Sequence, residues 1–275
     1  MKLNVLPARA GAQWVKLGAR TFFKQPLALG ALFILFLITL SLVTLLPFAG
    51  GIVMLALVPA FTAGLMTAAR EADGGKIPLP TILFIAFRQG AARVRAIIAL
   101  GLLYAAAIVV VIGISALIDG RLFLALILGY AEATTPEQLN ALLLDPRFNA
   151  AVRVAFVLYL PVSLAFWHTP ALVHWHGIAP VKSLFFSCVA VLKNIRPFLL
   201  YGLVWLALSL GVSAVLVLLA ALTGSAAVLV LGRLPVALFL GALFFTSQWF
   251  TFRDSFADDE PPNDALPAPR FVDEL

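Results

Sequence analysis

Acidic side chains are absent from every long apolar run of this sequence, and that absence removes whole classes of function. Ion-coupled transporters place carboxylates near the membrane midplane, and intramembrane hydrolases pair a nucleophile with a base. Both classes lose support, although a facilitator that works through helix ends and backbone carbonyls escapes the argument. No His-Glu-x-x-His, Gly-x-Ser-x-Gly or Gly-Lys-Ser/Thr pattern occurs either. A single cysteine, Cys188, rules out an internal disulfide and any cysteine-based metal site, and on a helix face it reads as a small apolar packing residue. Charge of both signs is scarce: 12% of the 275 residues carry it, against about 25% in ordinary globular chains.

What is present is hydrocarbon. Hydrophobic residues make up 63% of the chain and the mean hydropathy is +1.05, so the solvent for most of this surface is lipid. The formal charge of +6 does not indicate nucleic acid, because no basic run is interleaved with stacking aromatics on a polar segment. The cations stand beside apolar runs, where they act as topology signals.

Residues 179–222 carry the clearest pattern. On a 3.6-residue wheel Val181, Leu184, Phe185, Cys188, Leu192 and Ile195 fall on one side, and Lys182, Ser183, Ser187, Lys193 and Asn194 on the other. That is the pattern of an interfacial amphipathic helix. After Arg196 and Pro197 come about 25 uncharged residues, more than the roughly 20 that a membrane-crossing helix needs.

The same order occurs twice upstream. Lys2, Arg9, Lys16, Arg20 and Lys24, with no acid among them, precede an apolar span at 27–46, and Trp14, Leu17, Gly18 and Phe22 gather opposite the cations. The apolar run starts only after Pro26 and has full span length, so it reads as a retained span rather than a cleaved signal. A turn at 47–51 leads to a second span at 52–69, where Pro59 predicts a kink. After a polar loop at 70–80, residues 81–95 form a less clean amphipathic copy in which Leu83, Phe87 and Val94 oppose Arg88 and Arg95. Spans three to six are expected at 96–118, 152–174, 198–222 and 234–252, with 226–232 as a lead-in to the last. Between spans three and four, Arg121 to Tyr130 is too short to cross and either lies at the interface or re-enters. Thr135, Pro136, Glu137 and Gln138 predict a short helix over 136–144, stopped by Pro146. From 255 to 275 the composition turns to Asp, Glu, Pro and Ala, which predicts an acidic, disordered tail.

Lys and Arg fall unevenly about these spans. Lys2, Arg9, Lys16, Arg20, Lys24, Arg70, Lys76, Arg88, Arg93, Arg95, Lys182, Lys193 and Arg196 share one side, against Arg121, Arg147, Arg153 and Arg233 on the other. The positive-inside rule then predicts both termini in the cytoplasm. Aligning Pro26 with Pro197, and Arg95 with Arg196, sets Gly101 against Gly202 and divides residues 1–254 into three parallel units at about 8–70, 80–176 and 179–253. Such a parallel repeat is not the inverted kind that many secondary transporters use.

The stretches Phe22-Phe23-Lys24-Gln25-Pro26-Leu27, Trp167-His168-Thr169-Pro170-Ala171-Leu172-Val173, and Ser187 through Lys193-Asn194-Ile195-Arg196-Pro197-Phe198 carry a resemblance. The chain resembles an uncharacterised family of proteobacterial six-span inner-membrane proteins. More distantly it is similar to the membrane domain preceding some bacterial glycerophosphodiester phosphodiesterases. The resemblance implies an inner-membrane location and no chemistry, since no phosphodiesterase domain is present.

Two sets of residues are candidates for a site. All three histidines, His168, His174 and His176, lie within nine residues, and in a continuous helix His168 and His176 would be about 80° apart with His174 pointing elsewhere. They form either a metal, haem or headgroup-phosphate site or an interfacial Trp/His belt. The second set is Lys16, Arg20, Lys24, Arg88, Arg95, Lys182, Lys193, Asn194 and Arg196, which read as contacts to lipid headgroups. Asn194 and Arg196, where a surface helix turns into a span, either grip a phosphate or anchor the turn.

These observations predict an all-α, six-span membrane protein built as three hairpins, each preceded by a cytoplasmic amphipathic helix. It is expected to be non-catalytic, to need no cofactor, to bind no nucleic acid and to contact anionic lipid of the inner leaflet. The alternative is a transporter of a small or lipid-like solute.

Overall fold

The computed structural model describes residues 2–119, 122, 124, 141–225 and 227–257. Among them, six helical segments are long and apolar enough to cross a membrane: α2 (Pro26–Thr44), α3 (Gly50–Asp73), α4 (Ala91–Asp119), α5 (Pro146–Phe166) continued by α6 (Thr169–His176), α8 (Ile195–Thr223) and α9 (Ala227–Ser255). The remaining elements gather at one end of the bundle. They are strand β1 (Lys2–Leu3), helix α1 (Ala10–Lys24), a 3-10 helix at Pro80–Phe87, helix α7 (Pro180–Lys193) and strand β2 (Phe256–Ala257).

Except at Thr44, where α2 stops short of the expected 46, the long helices overrun the expected apolar runs at their ends. Helix α9 starts at Ala227, so residues 227–232 of the lead-in are helical and Arg233 is an exposed residue on the same helix. A long arginine can reach the headgroups from inside a helix, so its charge does not force a break. The expected piece from Arg121 to Tyr130 lies outside the described residues apart from Leu122 and Leu124, which are helical. Of the expected helix over 136–144, residues 141–144 are helical and the rest lie outside the described residues. Asp145 then caps α5, its Oδ1 accepting the N–H groups of Arg147 at 2.6 Å and Phe148 at 3.1 Å.

Helices α3 and α9 organise the bundle. Helix α3 packs against α2, α4 and the 3-10 helix, and α9 against α1, α2, α3 and α8, while α5 is held between α4 and α7. Inside hydrocarbon there is no water to expel, so these contacts depend on close packing and hydrogen bonds. Gly101 shows how close: a Cβ there would stand 2.0 Å from the Ala56 carbonyl oxygen, so α4 and α3 meet backbone to backbone. Gly202, set against it in the expected repeat, faces open space.

Helix α1 is built into the end of the bundle rather than lying free beside it. Trp14 is fully buried, its ring 5.1 Å from that of Phe198 and 6.0 Å from that of Tyr201. Its indole N–H donates to Asp254 Oδ2 at 2.9 Å. The two ends of the described chain meet beside it, where β1 and β2 pair antiparallel with Lys2 opposite Ala257 and Leu3 opposite Phe256. The expected tail boundary at 255 therefore moves: Ser255 closes α9 and 256–257 form a strand, while 258–275 lie outside the described residues.

Candidate functional site

Helix α7 has three faces where the wheel suggested two. Ser183, Ser187, Ala190, Val191 and Asn194 are buried against the protein, whereas Val181, Phe185 and Leu192 are 70%, 64% and 57% exposed. The serine side, expected to meet water, is the packing side, because small hydroxyls allow close approach and find backbone carbonyls there. Lys182, Lys193 and Arg196 are exposed along the edge of the outward apolar face.

Ser187 makes the most specific of these contacts. The helix of span four breaks at Trp167 and His168, ahead of Pro170, which has no N–H to give. Ser187 Oγ accepts the His168 N–H at 3.0 Å and donates to the Leu164 carbonyl at 2.8 Å, taking the place of the direct hydrogen bond between those groups. The wheel had placed Ser187 toward solvent because hydroxyls count as polar; the unpaired backbone at the break outweighs that preference.

Of the two readings open for Asn194, a headgroup contact and an anchor of the turn, its contacts fit the anchor. It is fully buried, its Oδ1 accepts Leu6 N–H at 2.8 Å, and its Nδ2 donates to Asn4 O at 2.9 Å and Ala190 O at 3.1 Å. It ties the N-terminal segment to the junction of α7 and α8. Arg196, two residues on, is exposed.

On α1, Lys16, Arg20 and Lys24 are exposed along one edge, with Phe23 63% exposed beside them. Lys24 Nζ donates to the Asp73 carbonyl at 3.3 Å. No Asp or Glu among the described residues pairs with Lys16 or Arg20.

The middle copy takes another form. The 3-10 helix stops at Phe87, Gly90 adopts φ of 86°, and α4 starts at Ala91, so residues 81–95 are not one helix. A left-handed residue at Gly90 turns the chain before the span begins. Arg88 and Arg95 are exposed on either side of that turn. Arg93 points inward instead and donates to the His174 carbonyl and, at 3.3 Å, to the Trp175 carbonyl, satisfying the last turn of α6.

The three histidines do not converge. His168 is fully buried and ringed by Phe198, Phe252 and Phe256, with Nε2 3.3 Å from Thr251 Oγ1. Thr251 gives its only hydrogen to the Gln248 carbonyl at 2.8 Å, so His168 Nε2 must be the donor and the buried Nδ1 is left without a partner. His174 is buried with Nε2 3.2 Å from Gln89 Nε2, and the His176 ring lies 5.9 Å from that of Phe252. Among the described residues no three His, Cys, Asp or Glu side chains are grouped to hold a metal ion. Cys188, half-buried on α7, has its thiol pKa pushed up by desolvation.

A probable inner membrane protein of Burkholderia thailandensis is 37% identical to this chain over 269 residues, covering 97% of the chain and 98% of the relative. The chain belongs to that family. It is therefore a multi-pass inner-membrane protein, with six candidate spans. No family model and no solved structure matches it, and nothing found supports the more distant likeness to the phosphodiesterase-linked membrane domain.

Two features of this inner-membrane protein were not anticipated. One is a groove of about 370 Å³ at the level of the spans, into which α3, α4, α5 and α9 bring Thr62, Tyr104, Tyr159, Ser163, Trp167 and Gln248. Gln248 is 7% exposed and its Oε1 is buried without a partner. The other is a cluster at the end of α9. Asp73 Oδ2 accepts from Arg253 Nη1 at 3.4 Å and from Trp249 Nε1 at 3.5 Å, and Arg253 Nε donates to Asp254 Oδ1 at 2.8 Å. These residues come from distant parts of the chain, so no local spacing announces them; only the tendency of Trp to sit at membrane boundaries points that way.

Proposed function

We propose that this protein is a non-catalytic component of the bacterial inner membrane that contacts anionic phospholipid of the cytoplasmic leaflet through its basic end, with both termini cytoplasmic. The carrying observation is the outward face of α7, where exposed Val181, Phe185 and Leu192 are edged by exposed Lys182, Lys193 and Arg196. An apolar face bordered by cations fits the boundary between acyl chains and headgroups. Lys16, Arg20, Lys24, Arg88 and Arg95 extend the same charge over neighbouring elements. Each such cation adds about 1 kcal/mol of attraction near an anionic surface. The non-catalytic part of the reading is supported by His168 and His174, which are buried and sit in structural contacts.

The test is the joint change of Lys16, Arg20 and Lys24 to Gln. Co-purified anionic lipid, read by native mass spectrometry, and association with anionic vesicles should both fall while the protein remains inserted. Equal values for the variant and the parent protein would leave these charges as topology determinants alone.

One observation favours a second reading, transport of a lipid-like solute: the groove at Gln248 offers polar groups at the depth of the spans. Flux in proteoliposomes that is lost in Gln248→Leu would establish that reading over the first.

A further inference from the structure

A second feature of the basic end bears on what it binds. Arg70, in the last turn of α3, holds its guanidinium 5.6 Å from the ring centroid of Trp175 on α6 and 5.6 Å from that of Trp249 on α9. The two indoles stand 5.2 Å apart at 84°, forming a corner that the guanidinium occupies. Arg70, Arg253, Trp175, Trp249, His176 and Phe252 line a cleft of about 290 Å³ open at that end.

The charges in the cleft are not equivalent. Arg253 is met by two carboxylates, Asp254 at 2.8 Å and Asp73 at 3.4 Å. The Arg70 guanidinium makes no hydrogen bond or ion pair among the described residues, and the residue is exposed. Its rings are therefore supplied and its in-plane N–H groups are not. Stacking on aromatic faces fixes a guanidinium while leaving its edge for a planar or tetrahedral oxyanion. A cationic ligand is disfavoured, because Arg70 already fills the aromatic corner that such a ligand would use. Fixing the side chain in advance also lowers the entropy lost on binding.

We propose that the Arg70 cleft is a binding site for a phosphate ester. The shared chemistry is a singly or doubly charged phosphate accepting from the Arg70 guanidinium, with the indoles holding that group in place. The source is either the phosphodiester of an anionic phospholipid or a soluble phosphate, and the inference rests on the lipid-contact reading only for the first of these.

The experiment uses the full-length protein in an uncharged detergent and follows tryptophan fluorescence, since Trp175 and Trp249 form the cleft. The probes are inorganic phosphate, short-chain phosphatidylglycerol and an uncharged short-chain diacylglycerol. A saturable change with phosphatidylglycerol alone assigns the site to a lipid headgroup, and one with inorganic phosphate assigns it to soluble phosphate. In Arg70→Gln the affinity should fall about tenfold or more, as expected for loss of a charge-assisted contact. Arg70→Lys, which keeps the charge and the stem, should lose less and serves as the folded control. Equal affinity in Arg70→Gln, no saturable change with either phosphate, or the same response to diacylglycerol would overturn the proposal. Failure of the surface-lipid reading shows differently, as unchanged vesicle association of the Lys16, Arg20 and Lys24 variant, and leaves this titration untouched.

Discussion

Ser187 Oγ lies 3.0 Å from the backbone nitrogen of His168, and the same oxygen donates to the Leu164 carbonyl. One hydroxyl from a helix outside the spans thus closes a gap in the backbone of span four. Ser187→Ala should strand a buried N–H and a carbonyl, at a cost of about 1–3 kcal/mol. Thermal unfolding in detergent should show a clearly lowered midpoint. A midpoint equal to that of the parent protein would mean that the break is satisfied in some other way.

Asn194 should behave as a strut rather than a headgroup ligand. Two of its side-chain hydrogen bonds hold Asn4 and Leu6 against the start of α8, and a third ties it back to Ala190 on α7. Asn194→Ala is expected to leave lipid content unchanged and to speed hydrogen exchange at residues 4–6. Loss of bound anionic lipid with unchanged exchange would return Asn194 to the headgroup set.

Gly101 and Gly202, which the expected repeat sets against each other, should respond in opposite ways. A methyl at Gly101 would collide with the Ala56 carbonyl at 2.0 Å, while one at Gly202 meets nothing within 4 Å. Gly101→Ala should destabilise by about 1–3 kcal/mol, the usual cost of overpacking. Gly202→Ala should be neutral or slightly stabilising, since alanine favours a helix by about 1 kcal/mol over glycine. Similar losses at both sites would show that Gly202 packs against something not present in the isolated chain.

The spans were legible because length and apolarity alone determine them, and the environment punishes every exception. The facing of α7 was not. A hydrophobic wheel assumes that polar means toward water, and at a membrane boundary Ser183, Ser187 and Asn194 instead turn inward to backbone groups while Phe185 turns outward. The middle amphipathic copy misled for a different reason, since apolar spacing through residues 81–95 said nothing of the left-handed Gly90 that divides it. Arg70 and Trp249 meet only through the fold, with 178 residues between them in the chain, so their contact left no pattern to read.

The orientation of the bundle can be tested from its charge. Lys2, Arg9, Lys16, Arg20, Lys24, Arg70, Lys76, Arg88, Arg93, Arg95, Lys182, Lys193, Arg196 and Arg253 belong to one end, and Arg147, Arg153 and Arg233 to helices at the other. Basic flanks are retained in the cytoplasm, so the first end should face it. The ends of α3 and α9 are joined there through Asp73 and Arg253, and β1 pairs with β2. The N-terminal segment and the end of the last span must therefore lie on one side. Reporter fusions after Asp73, Ala179 and Asp264 should be active as cytoplasmic reporters, and one near Glu137 as a periplasmic reporter. A periplasmic signal after Asp264 with a cytoplasmic one after Ala179 would remove one of the last two spans and break the pairing of the chain ends. The opposite sign at all four sites would keep the bundle and invert it, placing the basic helices on the periplasmic leaflet.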